Sequence, residues 1–183
     1  MDIEQVVSML QEVAEAAAPP DFEQRFGYPP GDNHVVLARD ATGAAALQAA
    51  FPGKVPPDVA AFFTAVSEVS LPDVWNAYFI GPVSWTIELH KASEPRYVRF
   101  EDADREVMIL ASNVGGDMFG LLVAPEGSML AIPAAGIENG VHRADTAGAP
   151  GYRPIADTFG QFLQRLAQAA LAGEPDPFDP HRR

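Results

Sequence analysis

An α+β domain, with helices and antiparallel strands sharing one core, is predicted by three segments: VPPDVAAFFTAV at Val55–Val66, ILASNVGGDMFGLLV at Ile109–Val123 and IADTFGQFLQRL at Ile155–Leu166. They read as a proline-started helix, a glycine-turned hairpin and a capped helix near the C-terminus. None carries a recognisable nucleophile, metal cage or phosphate cradle, which points to binding and away from catalysis.

The 183 residues, 48% of them hydrophobic, suffice for one core and hence one domain. Without cysteine there is neither a disulfide scaffold nor a thiolate metal site, so packing alone must hold the fold, as suits a reducing cytoplasm. No run approaches the ~20 apolar residues of a membrane span. The first segment carries Asp2 and Glu4 where a secretory signal would carry Lys or Arg. A cytoplasmic protein with no membrane attachment is therefore expected. The net charge of −13 makes DNA and RNA poor partners, because nucleic-acid affinity rests on cations that neutralise phosphates. Acidity keeps a protein soluble, which is its commonest role, and it also favours a basic protein partner within a screening length of about 8 Å.

In chain order, Ile3, Val6, Val7 and Leu10 form the apolar stripe of a helix with Asp2 as N-cap, ended by Pro19-Pro20. Residues 19–33, rich in Pro and Gly, read as a surface loop whose Phe22, Phe26 and Tyr28 tuck onto the core. HVVLA at His34–Ala38 is a strand, and TGAAALQAAF is an Ala-rich helix closed by Pro52-Gly53. Pro56, Pro57 and Asp58 open the next helix, whose stripe is Val59, Phe62, Phe63 and Val66. The β-branched and aromatic residues from Pro72 to Ala92 read as strands, followed by a charged loop, EDADRE, at Glu101–Glu106. VMILAS and FGLLVA flank NVGGDM, whose paired glycines suit a tight hairpin. Thr158 and Gln161 have capping-box spacing ahead of the stripe Phe159, Phe162, Leu163 and Leu166. The tail GEPDPFDPHRR, punctuated by proline, reads as flexible or draped on the surface.

His34, His90, His142 and His181 form no ligand-spaced pair, and no hydrolase elbow, Walker loop or dinucleotide fingerprint occurs. Neither catalytic residues nor a metal or cofactor is expected. Gly115-Gly116-Asp117-Met118-Phe119 is similar to the GGDEF hairpin of diguanylate cyclases, but Met118 stands where a metal-holding glutamate would be. A conformational reason for these glycines is the better reading. Trp75 and Trp85 bracket an aromatic stretch, and such side chains either fill a core or anchor an interface. Glu101, Asp102 and Asp104 form an acidic loop, while Asp73 and Asp117 sit beside the aromatics and the glycine turn. These seven residues are the candidate partner-binding set.

The order of the elements, P-P-x-V-x-x-F-F at Pro56–Phe63, a strand region, S-N-x-G-G-D at Ser112–Asp117 and I-A-x-T-F-x-x-F-L at Ile155–Leu163, resembles the SUKH superfamily over residues 44–172. The resemblance implies an α+β domain with a single curved, mainly antiparallel sheet and flanking helices. It leaves residues 1–43 as an N-terminal helix and loop packed on the core, and 173–183 as a flexible tail. Many bacterial members of that family look like immunity proteins that neutralise a cognate protein toxin, often a nuclease or deaminase, and another is a fungal regulator of cell-wall synthesis. The family has no shared catalytic residues to carry over. The expected function is toxin neutralisation through an acidic surface, by a monomer or weak dimer. The alternatives are a regulatory adaptor docking on an endogenous protein, and a small-molecule binder or enzyme with a cleft beside Trp75 and Trp85.

Overall fold

The computed structural model describes residues 2–16, 18, 21–27, 29–100, 103–123, 127–143 and 151–179. The first helix, α1 (Ile3–Glu15), starts where the Asp2 carboxylate accepts the Glu4 N–H, and it buries Val6, Val7, Leu10 and Val13. The Pro/Gly-rich loop contains one short helix, α2 (Phe22–Phe26), ended by Gly27 in the left-handed region. Then come β1 (His34–Leu37), α3 (Thr42–Ala50) and α4 (Pro57–Ala65). The proline start of α4 is as expected, and the chain leaves it directly into β2 (Val66–Leu71). After β3 (Tyr78–Ile80) the chain forms α5 (Val83–Ala92), where strand had been expected.

The remaining elements are β4 (Tyr97–Phe100), β5 (Ala103–Ser112), β6 (Met118–Leu122), β7 (Met129–Ile132), β8 (Ile137–Glu138), β9 (Val141–His142), β10 (Arg153–Ala156) and α6 (Phe159–Leu171). The charged segment read as a loop is thus largely strand, because Asp104 lies opposite Arg99 in the β4–β5 register and the two side chains pair. Opposite charges across a ladder favour pairing.

The class is α+β, and the described strands form one mostly antiparallel open sheet. Its long strand β5 organises the rest. The C-terminal part of β5 pairs β3 on one side and β6 on the other, and β6 continues to β7 and β10. Beyond β3 lie β2 and the edge strand β1. The N-terminal part of β5 pairs β4, which carries the parallel partner β9 and then β8. Register shifts interrupt the β1–β2, β5–β6 and β10–β7 ladders, with the extra residue on β2, β5 and β10 respectively, the arrangement that bends and twists a ladder locally.

Side-chain alternation divides the core. Met108, Leu110, Phe119, Leu121 and Met129 face one cluster, under α1, α3, α4 and α6. Val107, Ile109, Leu122, Leu130 and Ile132 face a smaller cluster on the other side, capped by Trp85 and Leu89 of α5. This second layer is why 83–92 is a helix: its β-branched residues are weak helix formers, but Trp85 and Leu89, four apart, meet the sheet together.

At the other end, Thr158 accepts the Gln161 N–H at 3.1 Å, while the Gln161 side chain accepts from the Asp157 N–H. The Asp58 carboxylate, reaching over from α4, takes the Gly160 N–H at 2.9 Å. Beyond α6 the tail lies against the core as far as Asp179, with Phe178 fully buried among Phe119, Phe162 and the Arg165 guanidinium. Residues 174–179 of the tail, expected to be flexible or draped on the surface, are thus placed with their one aromatic residue in a core socket; residues 180–183 lie outside the described set.

Candidate functional site

The turn between β2 and β3, Pro72–Ala77, carries two of the candidate residues and forms one wall of a cleft of about 460 Å³. The turn is held from three directions. Asp73 accepts the Gly31 N–H at 2.8 Å and the Asn33 side-chain amide at 3.4 Å, and its own N–H donates to Asn33 Oδ1. Gly31 is required there, since a Cβ on it would sit 2.7 Å from Pro72 Cγ. Trp75 adopts φ of 50°, a left-handed conformation that costs a bulky residue energy, and its indole N–H donates to the Glu174 carbonyl at 2.9 Å. Its ring stands edge-on to Tyr78 at 5.9 Å.

Below Trp75, the Tyr78 hydroxyl donates to Asp176 at 2.8 Å, and the Phe178 N–H donates to the same carboxylate. Burial pushes Asp176 above the ordinary carboxylate range, against the pull of those two hydrogen bonds. Burial, together with the Asp176 charge, pushes the Tyr78 phenol far up. The pair is a buried strut that fixes the tail under the turn.

The opposite wall of the cleft is the C-terminal end of α1 and of α6, including Val13 and Leu171, with Phe22 of α2. Of the residues lining it, the charged ones are Asp73 and Glu174, both carboxylates. The cleft is apolar, open to solvent and acidic at its rim. Among the described residues that line it, none pairs a nucleophile with a base.

The other candidates lie elsewhere. Trp85 packs on the second cluster, across the sheet from Trp75, so the two tryptophans do not share a cleft as expected. Asp117 is buried and locks its own hairpin: it accepts the Asn113 amide at 2.9 Å while its N–H donates back to Asn113 Oδ1 at 2.9 Å. That reciprocal bond gives the residue a structural role in the hairpin. Asp104 is paired with Arg99, whose hydrogen bond and charge hold it below the ordinary range despite slight desolvation. Glu101 and Asp102 lie outside the described residues.

One titratable cluster had no sequence signal. Glu106 on β5 is met by Lys54 Nζ at 2.6 Å, Arg96 at 3.5 Å and His90 Nε2 at 3.6 Å. Burial pushes Glu106 up, but the Lys54 hydrogen bond and the surrounding cations together hold it below its usual value. His90 is lowered by burial first and then by Arg96 and Lys54, with Glu106 opposing. Its Nδ1 is buried without a hydrogen-bond partner, so no hydroxyl is placed for an imidazole–carboxylate pair to activate. The cluster ties α5 and the loop after α3 to β5.

His142 on β9 is fully buried; burial lowers its proton affinity, and a hydrogen bond to the Ala135 backbone opposes this only in part. The unfolded chain then binds more protons than the folded one below about pH 6.5, so stability is full above that value and falls as the pH drops through it. His90 acts in the same direction. His142→Leu is expected to flatten the stability profile between pH ~7 and ~5, measured by urea unfolding; an unchanged slope would refute this assignment.

Among the described residues, no group of three or more His, Cys, Asp or Glu side chains is placed to hold a metal ion, and no helix is long and apolar enough to cross a membrane. No family model matches the chain, and a search of curated proteins finds no match.

Proposed function

We propose that this is a non-catalytic, cytoplasmic immunity-type protein of the SUKH kind, which neutralises a cognate protein toxin by direct binding. The observation that carries the reading is the solvent-open cleft, with Trp75 in its wall and Asp73 and Glu174 as the charged residues among the described ones that line it, in a chain of net charge −13. Aromatic anchors beside charged groups are where interface energy concentrates. The α+β core and the order of its proline-started helix, glycine hairpin and terminal helix support the same reading. A partner seated over the cleft would bury roughly 1,200–2,000 Å² in a complex of ordinary size.

The test is co-expression with toxin-like products of neighbouring reading frames. Growth rescue and co-purification are expected, with an association rate that falls steeply as salt rises, because complementary charge acts mainly on encounter. Failure to rescue any neighbouring toxin, together with co-purification of a housekeeping protein, would replace this reading with that of a regulatory adaptor.

A further inference from the structure

We infer that the cleft between α1 and α6 receives an arginine side chain from the protein partner. This deepens the proposed function and rests on it. Four features select such an occupant. The wall formed by Val13, Phe22 and Leu171 suits an alkyl stem, and Leu171 is among the few exposed large hydrophobic residues. Among the described residues the lining charges, Asp73 and Glu174, are both negative, so filling the cleft with an apolar group would desolvate them without compensation, whereas a cation neutralises them. Asp73 also retains acceptor capacity, since its hydrogen bonds to Gly31 and Asn33 use only part of its lone pairs. Finally, the Trp75 indole is fixed by its bond to the Glu174 carbonyl, which leaves a rigid aromatic surface of the kind guanidinium groups stack on.

A Trp85→Phe background makes Trp75 the sole tryptophan. The pentapeptide acetyl-Ala-Leu-Arg-Leu-Ala-amide, and counterparts with norleucine or glutamate at the centre, are titrated by calorimetry and by the emission of Trp75. The arginine peptide is expected to shift the emission, to bind about tenfold tighter than the norleucine peptide, and to weaken with salt. The glutamate peptide is expected not to bind. Glu174→Lys, which changes only an exposed side chain, and Asp73→Asn are each expected to reduce arginine-peptide affinity, by about tenfold for the charge reversal, with thermal unfolding confirming that both variants fold. Equal affinity for norleucine and arginine, no binding of the arginine peptide, or binding indifferent to both variants would overturn the inference. If the peptide fails while the intact protein still rescues cells, the cleft assignment falls and the immunity reading stands. If the peptide binds as described and rescue fails, the cleft assignment holds and the immunity reading falls.

Discussion

Replacing Phe178 with alanine is expected to lower the unfolding free energy by about 3–5 kcal/mol, the range for deleting a fully enclosed aromatic ring. Its ring sits 4.8 Å from that of Phe162 and 6.3 Å from that of Phe119, beneath the Arg165 guanidinium, so neighbours on the sheet and on α6 lose contacts together. Truncation after Gly173 should cost more, because it also removes the Tyr78–Asp176 bond and the Glu174 carbonyl that anchors Trp75. The functional consequence is specific. Glu174 and Pro175 are a wall of the cleft, so the truncated chain is expected to lose partner binding even at temperatures where it remains folded. Denaturant unfolding of both variants measures the first effect. A truncated chain as stable as the intact one would mean that the tail is not docked.

Gly120→Ala is the second large effect, and it arises from overfilling. A Cβ at this position in β6 would lie 2.5 Å from Val107 Cγ2 and 2.9 Å from Ile109 Cδ1, in the tightly packed layer under α5. Forcing extra volume into such a layer typically costs about 1–3 kcal/mol. Gly43→Ala in α3 is the contrast, since its Cβ would meet only ordinary contacts, at 3.6 Å from the Phe63 carbonyl oxygen and 3.7 Å from Val83 Cγ2. There the lower entropy of the unfolded chain should stabilise the protein by about 0.5–1 kcal/mol. Melting curves of the two variants should move in opposite directions. A Gly120→Ala protein as stable as the parent would show the layer to be loosely filled.

Legibility followed the range of the signals. The caps at Asp2 and Thr158, the Pro56-Pro57 start and the glycine hairpin are written within a few residues of where they act, and each appears where the sequence puts it. Helix α5 was hidden because Val83, Trp85, Thr86 and Ile87 favour strand locally, and only the second face of the sheet makes helix the better choice. The docking of the tail was signalled only by a lone Phe178 among prolines. The site was half readable. Asp73 and Trp75 are neighbours in the chain, but Asn33 and Glu174, which complete their surroundings, arrive from about 40 and 99 residues away. Trp85 was misassociated with Trp75 because proximity in sequence says nothing about which face of a sheet a side chain covers. The Asn113–Asp117 lock had a signal that went unread: two hydrogen-bonding residues four apart across paired glycines.

The claim that this acidic cleft is the binding surface is tested most directly by amide hydrogen exchange on the complex with the co-purified toxin. Slowed exchange is predicted in residues 71–77 and at the C-terminal end of α6 through 175, on both sides of the cleft. Protection confined to the β4–β9 end of the sheet, with 71–77 exchanging as in the free protein, would contradict the account.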